Sequence, residues 1–355
     1  MINKDSVITM VHGSGGSATN ELINEIFASE FSNNTLNQME DSAVLDLPTD
    51  GLLSSGKKLA FTTDSFVVTP LVFRGGDIGR LAICGTVNDL LMRGAVPKYI
   101  TCGYIIQEGM PVECLKRIVH SMAETAREAG VTIVAGDTKV VDANGDGEPG
   151  LFINTAGVGF VPEGIDISAG NAKPGDKILI SGNLGDHHAA ILSHRMNIET
   201  DIESDNAPLG EMTMKLVERM SESGNEKSFD VHTLRDVTRG GLGTVLKELA
   251  LASGYTFNIY EESVPASAKV RGFCGLLGLD PVYMGNEGKM VAIVPAECAD
   301  EALEIIKASK YGSDACIIGD VTEDEKNAGE LIMHTAIGGR RRLDILQGEG
   351  LPRIC

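Results

Sequence analysis

Apolar positions recur along the chain in two alternating rhythms. The clearest is a helical stripe, Leu115, Ile118, Val119, Met122 and Ala126, opened by Pro111 and closed by Gly130. Spacings of three and four place these side chains on one helix face, while Pro suits a first turn and Gly an end. Before it, Lys58 to Thr63 reads as a strand running into Asp64, Asp77 to Arg93 as a helix and Tyr99 to Ile106 as a strand; after it, Val131 to Ala135 reads as a short buried strand and Phe152 to Val161 as another. Lys173-Pro174-Gly175-Asp176 is a turn, and a second cycle follows. Its strands are expected at Lys177 to Ser181, Thr256 to Tyr260, Met290 to Val294 and Ala315 to Val321, and its helices at Asp186 to Met196, Glu211 to Ser221, Leu242 to Ser253 and Asp300 to Ser309. Strand and helix alternate in both halves, which predicts a mixed α/β (α+β) fold in two domains. Thr19 and Asn20 precede Leu22, Ile23, Ile26 and Phe27, so residues 1–38 read as a glycine-rich segment with a helix. The expected domains are 39–165 and 171–337, with a flexible tail over 338–355.

Composition narrows the function. Among 355 residues, 50 acidic side chains outnumber 30 basic ones, which disfavours nucleic-acid binding because phosphate contacts need clustered Lys and Arg. Met1 to Gly16 carries no secretory pattern and no apolar run is long enough to span a bilayer, so a cytoplasmic protein off the membrane is expected. Glycine is frequent, at 42 residues, which points to many tight turns or close ligand approaches. The seven cysteines, 84, 102, 114, 274, 298, 316 and 355, are scattered and form no C-x-x-C pair, against both disulfide scaffolds and zinc ribbons. Six lie in apolar stretches as small buried hydrophobes; Cys355 ends the chain, beyond Arg340, Arg341, Arg342 and Arg353 in a locally basic tail.

Two familiar loops fail. Gly51 to Lys58 nearly fits a Walker pattern, yet Lys58 stands where the Mg²⁺-binding hydroxyl belongs and a strand follows instead of a helix. Asp142, Asn144, Asp146 and Gly147 begin like a calcium loop, but Ile153 replaces the bidentate Glu. What remains is a set of isolated acids: Asp41, Asp64, Asp89, Asp137 and Asp236. Singly, each suits a helix cap or a turn. Together they suit hard Mg²⁺ shared with phosphate oxygens, which would offset repulsion between an acidic protein and a polyphosphate. Gly13-Ser14-Gly15-Gly16 offers backbone N–H groups to phosphate, or is simply a mobile terminus.

Taken in order, Gly13-Ser14-Gly15-Gly16, Glu40-Asp41-Ser42-Ala43-Val44, Thr63-Asp64, Asn88-Asp89, Gly136-Asp137-Thr138, Asp236-Val237-Thr238-Arg239-Gly240-Gly241-Leu242 and Ile318-Gly319-Asp320-Val321 resemble the PurM-like superfamily of aminoimidazole ribonucleotide synthetase, selenophosphate synthetase and thiamine-phosphate kinase. Within it, Gly75-Gly76-Asp77-Ile78-Gly79, Gly185-Asp186-His187, Gly285-Asn286-Glu287-Gly288-Lys289 and the ending Leu351-Pro352-Arg353-Ile354-Cys355 resemble the HypE family of hydrogenase maturation factors. The likeness spans almost the whole chain. It implies an N-terminal ATP-binding domain that builds a β-barrel in a homodimer, and a C-terminal α/β domain.

The resemblance further implies that Cys355 receives a carbamoyl group from the carbamoyltransferase HypF, and that ATP with Mg²⁺ drives its dehydration to an S-cyanide. The cyanide would pass to iron held by a HypC–HypD complex. Asp41, Asp64, Asp89, Asp137 and Asp236 are the expected metal and phosphate ligands, and Gly13, Gly15, Gly16, Asn88 and Thr138 the expected nucleotide contacts. Lys139 is expected to orient the carboxamide and Glu287 to accept a proton; surface ion pairing and a turn carboxylate are their plainer readings. A small-molecule enzyme of the same superfamily and a non-catalytic thiol carrier remain alternatives. The first leaves Cys355 unexplained, and the second leaves the five acids unexplained.

Overall fold

A computed structural model describes residues 16–28, 33–46, 58–142, 150–222, 229–347 and 355. After a short helix, α1 (Ser17–Leu22), come β1 (Ala43–Asp46), β2 (Lys58–Phe66), a two-strand ribbon of β3 (Val72–Phe73) and β4 (Gly76–Asp77), helix α2 (Ile78–Met92), β5 (Val96–Gln107), α3 (Val112–Glu128), β6 (Thr132–Val141) and β7 (Leu151–Val161). Five of these strands form an open sheet in the order β1-β2-β7-β5-β6, antiparallel except for the β5–β6 pair.

Helix α2 is apolar nearly all round, and a helix of that kind belongs inside. It starts on Asp77, whose carboxylate accepts the N–H groups of Gly79 and Arg80 at 2.8 and 2.9 Å. Two glycines let it lie close to the sheet. A Cβ on Gly85 would come within 2.8 Å of the Phe66 ring, and one on Gly157 of β7 within 2.6 Å of Thr86. Helix α3 follows its stripe in part: Ile118, Met122 and Ala126 are buried and Leu115 is half-buried, but Val119 of the same stripe is exposed.

The second unit contains β8 (Lys177–Ile180), α4 (Asp186–Arg195), α5 (Gly210–Ser221), β9 (Thr233–Asp236), α6 (Gly241–Ser253), β10 (Thr256–Tyr260), α7 (Ala268–Leu277), β11 (Met290–Val294), α8 (Ala299–Lys307), β12 (Cys316–Thr322), β13 (Leu331–His334) and β14 (Arg340–Leu343). Seven strands align as β14-β13-β10-β12-β8-β11-β9. One continuous core joins the units: Leu81, Leu90 and Ile100 of the first pack in the same cluster as Leu179, Leu216 and Met290 of the second.

Several expectations change. The strand expected to be short and buried at Val131 to Ala135 is instead the start of a long edge strand, β6, exposed along its whole length. Arg340–Leu343, placed in the tail by its charge, is an edge strand whose three consecutive arginines are all exposed, a charge load that discourages further strand pairing. Among the described residues the first sheet is open and no closed barrel forms within one chain. The Walker-like segment up to Lys57 and the calcium-like turn from Ala143 to Pro149 lie outside the described residues.

Candidate active site

Four elements bring acids to one place between the two sheets. Asp41 precedes β1, Asp64 lies on the inner face of β2, Asp89 on α2, and Asp236 at the end of β9. Thr62 links Asp89 and Asp41: its hydroxyl is 2.9 Å from Asp89 Oδ2 and 3.1 Å from the Asp41 carbonyl oxygen. Gly85 is again the enabling residue, since its missing Cβ would stand 3.3 Å from Asp64 Oδ2. Arg235 donates from Nε to Asp41 Oδ1 at 2.9 Å and approaches Glu248 at 3.5 Å.

Glu287 enters from a loop that is fixed on three sides. Asn286 accepts from Gly185 N–H at 2.7 Å and donates to the carbonyls of Val237 and Met284. His188 Nδ1 accepts from Gly285 N–H, which makes it the neutral tautomer protonated on Nε2; burial pushes its pKa down to about 3. Asp205 accepts from Glu287 N–H at 3.0 Å and pairs with Lys289 at 3.2 Å. A Cβ on Gly288 would stand 1.9 Å from the Asp205 carbonyl oxygen, so only glycine fits there.

The acids pay for their proximity in proton affinity. Burial, then Asp236, Glu40 and Glu248, raise Asp41 to about 8 against the opposing pull of Arg235. Asp236 rises to about 6, by burial and by Asp64. Burial raises Asp64 although Arg239 opposes it, and Asp89 and Glu287 stand well above ordinary carboxylates through burial and through their neighbouring acids. Arg235, by contrast, is held more firmly protonated by Asp41 and Glu248. The two halves of the Arg235–Asp41 pair thus shift in ways that disagree about its benefit. The acid excess decides the matter, because one guanidinium faces Asp41, Asp236, Glu40 and Glu248 together. Asp41 Oδ2 and Glu287 Oε1 are buried with no protein hydrogen-bond partner. Unsatisfied, like-charged oxygens of this kind suit a hard cation or a phosphate-bound one.

Cys355 returns to this place. It is buried, at 8% exposure, and belongs to the shared core cluster. Arg239, on the turn between β9 and α6, is raised above an ordinary guanidinium chiefly by the negative charge of Cys355, then by Asp64, Glu287 and Asp89. Gly240 and Gly241 make that turn with φ of 79° and 67°, left-handed values that glycine adopts without strain. The residue Cys355, bearing a thiol and the terminal carboxylate, therefore lies within electrostatic reach of the Arg239 guanidinium at the edge of a carboxylate cluster.

Family models for the AIR synthase related proteins match the chain over residues 39–161 (N-terminal domain) and 173–332 (C-terminal domain). Over 354 residues the chain is 46% identical to the carbamoyl dehydratase HypE of Azotobacter vinelandii, covering 99% of this chain and 98% of that protein. The chain belongs to the HypE family. The HypE of Escherichia coli K12 is 44% identical over 98% of this chain and 99% of its own length. Among solved structures, a HypE–HypF complex superposes with a TM-score of 0.81 at 46% identity over 92% of this chain and 99% of its own. A HypE in complex with ATP superposes at 0.78 and 44% over 98% of this chain and 100% of its own.

Of the residues expected for a HypE family member, the structure gathers Asp41, Asp64, Asp89, Asp236, Glu287 and Cys355. It does not bring in Asp137 and Lys139. These form an ion pair with each other on β6, both mostly exposed. In the sheet register Asp64 faces Thr155, Thr155 faces Cys102, and Cys102 faces Gly136. Asp137 therefore lies three strands away, about 14 Å at the usual strand spacing, and on the opposite face because it neighbours Gly136. Thr138 shares that exposed edge strand. Asn88 is buried, donating to the Ala207 carbonyl at 3.1 Å and accepting from Leu209 N–H at 2.9 Å, so its amide joins two segments of the second unit to α2. Gly16 is buried at the start of α1, while Gly13 and Gly15 lie outside the described residues.

Of the five acids expected as metal and phosphate ligands, Asp137 lies apart from the other four. Among the described residues no three Asp, Glu, His or Cys side chains converge tightly enough to hold a metal unaided. Mg²⁺ usually takes one or two carboxylates and completes its shell with water and phosphate. The gathered acids fit that arrangement. Arg235, Arg239, Asp205 and Lys289 were missed as site residues, although Arg239 stands inside the quoted run Asp236 to Gly241.

Proposed function

We propose that this chain is an ATP-dependent carbamoyl dehydratase that converts an S-carboxamide on Cys355 to an S-cyanide for the iron of a nickel–iron hydrogenase. The burial of Cys355 beside Arg239 and the carboxylate cluster carries this reading. A plain thiol carrier would keep its thiol accessible, and a small-molecule enzyme would have no use for it there.

A carboxamide oxygen leaves poorly. Transfer of the γ-phosphoryl group to that oxygen lets it depart within phosphate while the nitrogen loses its protons; carboxamide and ATP become nitrile, ADP, phosphate and one proton. Bound Mg²⁺ would neutralise charge on the phosphates. Asp41, Asp64, Asp89 and Asp236 would hold the metal that in turn carries the phosphates. Arg239 would hold the chain end, and Glu287, held protonated by burial and the neighbouring acids, would take a proton from nitrogen once cations bound among those acids let it ionise. The relatives' complexes with ATP and HypF support nucleotide use and loading by HypF.

The HypE resemblance supports a homodimer, and so does the exposed face. Phe61, Tyr99 and Ile105 project from the helix-free side of the first sheet, and Val134 and Val140 from β6. In such a dimer, closure of two open sheets into one barrel would cover them, and Asp137, Thr138 and Lys139 would join the site of the second copy. A HypC–HypD complex would accept the cyanide in the cytoplasm. No helix among the described residues is long and apolar enough to cross a membrane. Cys355→Ala should bind ATP and form no nitrile when supplied with HypF, ¹³C-carbamoyl phosphate and ATP; ¹³C-labelled cyanide from that variant would reject the assignment.

A further inference from the structure

The route of Cys355 has a fixed starting point. Leu346 lies nine residues before it and is held from two sides. Its N–H donates to Thr244 Oγ1 of α6 at 3.2 Å, and its carbonyl accepts the N–H of Ser17 at 3.1 Å. Two residues earlier, the Tyr283 hydroxyl donates to the Asp344 carbonyl at 3.0 Å and lies 3.3 Å from the Asp344 N–H. Gly16 closes the grip: a Cβ there would stand 2.3 Å from the Leu346 carbonyl oxygen, a distance no real side chain tolerates. The N-terminal jaw is itself seated on the second unit. Asn20 of α1 donates to Glu248 of α6 at 3.4 Å, and Glu248 pairs with Arg235, the partner of Asp41.

We propose that Gly16 and Ser17 are positioning residues that clasp Leu346 against Thr244 and so set the pivot from which Cys355 enters the carboxylate cluster. From this pivot nine residues reach at most about 30 to 32 Å. Loading at a partner's site and dehydration at the internal site place opposite demands on the tail, and the clasp favours the internal position. The inference rests on the dehydratase reading for its chemical consequence, but not for its structural one.

The clean variant is Ser17→Pro. Proline lacks the N–H that bonds Leu346, fits the first position of a helix, and follows Gly16, which is already extended at φ −103° and ψ −162°. Gly16→Ala tests the same contact by steric displacement, and Thr244→Val tests it from the other jaw. Three rates are measured on the full chain: alkylation of Cys355 by iodoacetamide, read on the C-terminal peptide; carbamoylation by HypF; and single-turnover dehydration at saturating ATP. Loss of one hydrogen bond is worth about fivefold, the equivalent of about 1 kcal/mol. Ser17→Pro and Thr244→Val are expected to alkylate about fivefold faster and dehydrate about fivefold slower, with carbamoylation as fast as before or faster. Wild-type alkylation in all three variants overturns the clasp. So does a parallel fall of carbamoylation and dehydration with a lowered Tm, because that pattern marks general destabilisation. If the unsubstituted protein fails to dehydrate its carboxamide, the dehydratase reading fails, and the alkylation rates still decide the clasp.

Discussion

Replacing Asp41 by Asn should stabilise the protein while disabling it. Asp41 rises from 3.8 in the unfolded chain to about 8 in the fold, so the native state holds a proton across that window that the unfolded state has already released. Stability must therefore fall as pH climbs from about 4 toward 8, and stay reduced above it. At about 1.4 kcal/mol for each unit, a shift of four units sets a ceiling near 6 kcal/mol. Local relaxation and water entry lower such penalties, so a gain of about 2 kcal/mol at pH 8 is a realistic expectation for the neutral amide. Arg235 keeps Glu248 at 3.5 Å and is not stranded by the change. For a chain of 355 residues the gain corresponds to a rise in Tm of about 3 °C. Thermal unfolding of the metal-free protein from pH 5 to 9 reads both the gain and its pH profile: the wild-type Tm falls along this range more steeply than that of the variant. An Asp41→Asn protein less stable than wild type at pH 8, or with the same pH slope, would refute the acid-repulsion argument. The variant should also bind ATP·Mg²⁺ more weakly, as expected where function retains destabilising charge.

Three other outcomes follow from named contacts. Glu287→Gln keeps shape and loses the proton acceptor, so single-turnover dehydration should fall by about 10²-fold or more with Tm unchanged or raised; a wild-type rate removes Glu287 from the reaction. His232 is raised to about 9 by Asp176, 2.7 Å from Nδ1, and by Asp230, with Lys173 opposing. Its contribution is complete below about 6.5 and disappears as pH rises through about 9, so His232→Gln should lower Tm most at pH 6 and little at pH 10; an equal loss at both would contradict the ion-pair account. Gly85→Ala places a methyl 2.8 Å from the Phe66 ring and near Asp64, and should cost about 1 to 3 kcal/mol in urea unfolding; no change in midpoint would mean that α2 has room to move.

How much of this was legible in sequence depended on where the information resides. The stripe from Leu115 to Ala126 specifies α3 because one face alone is buried, whereas α2, read only as a helix and carrying Arg80, Asn88 and Asp89, proves to be an interior one. The edges were harder. Val131 to Ala135 looks like a buried strand because its residues are apolar, yet the exposure of β6 is set by what stands beside it and not by its composition. Arg340 to Arg342 look like a tail, although an edge strand exposed at successive positions tolerates charge at each. At the site, Asp41, Asp64, Asp89 and Asp236 could be singled out because acids at the ends of apolar runs are conspicuous. Arg235, Arg239 and Asp205 were not, since only the packing of β9, α6 and the 285–288 loop reveals which charges face one another. Asp137 shows the converse: a conspicuous acid that one chain's geometry sends to the opposite face of the sheet.

The central claim is that the buried chain end is where a carboxamide loses water. Protein carbamoylated at Cys355 by HypF, incubated with ATP and Mg²⁺ and followed by intact-mass spectrometry, should lose the mass of one water, localised to the C-terminal peptide, in step with ADP formation. A carboxamide that keeps its full mass while ATP is bound and Mg²⁺ is present would contradict the account.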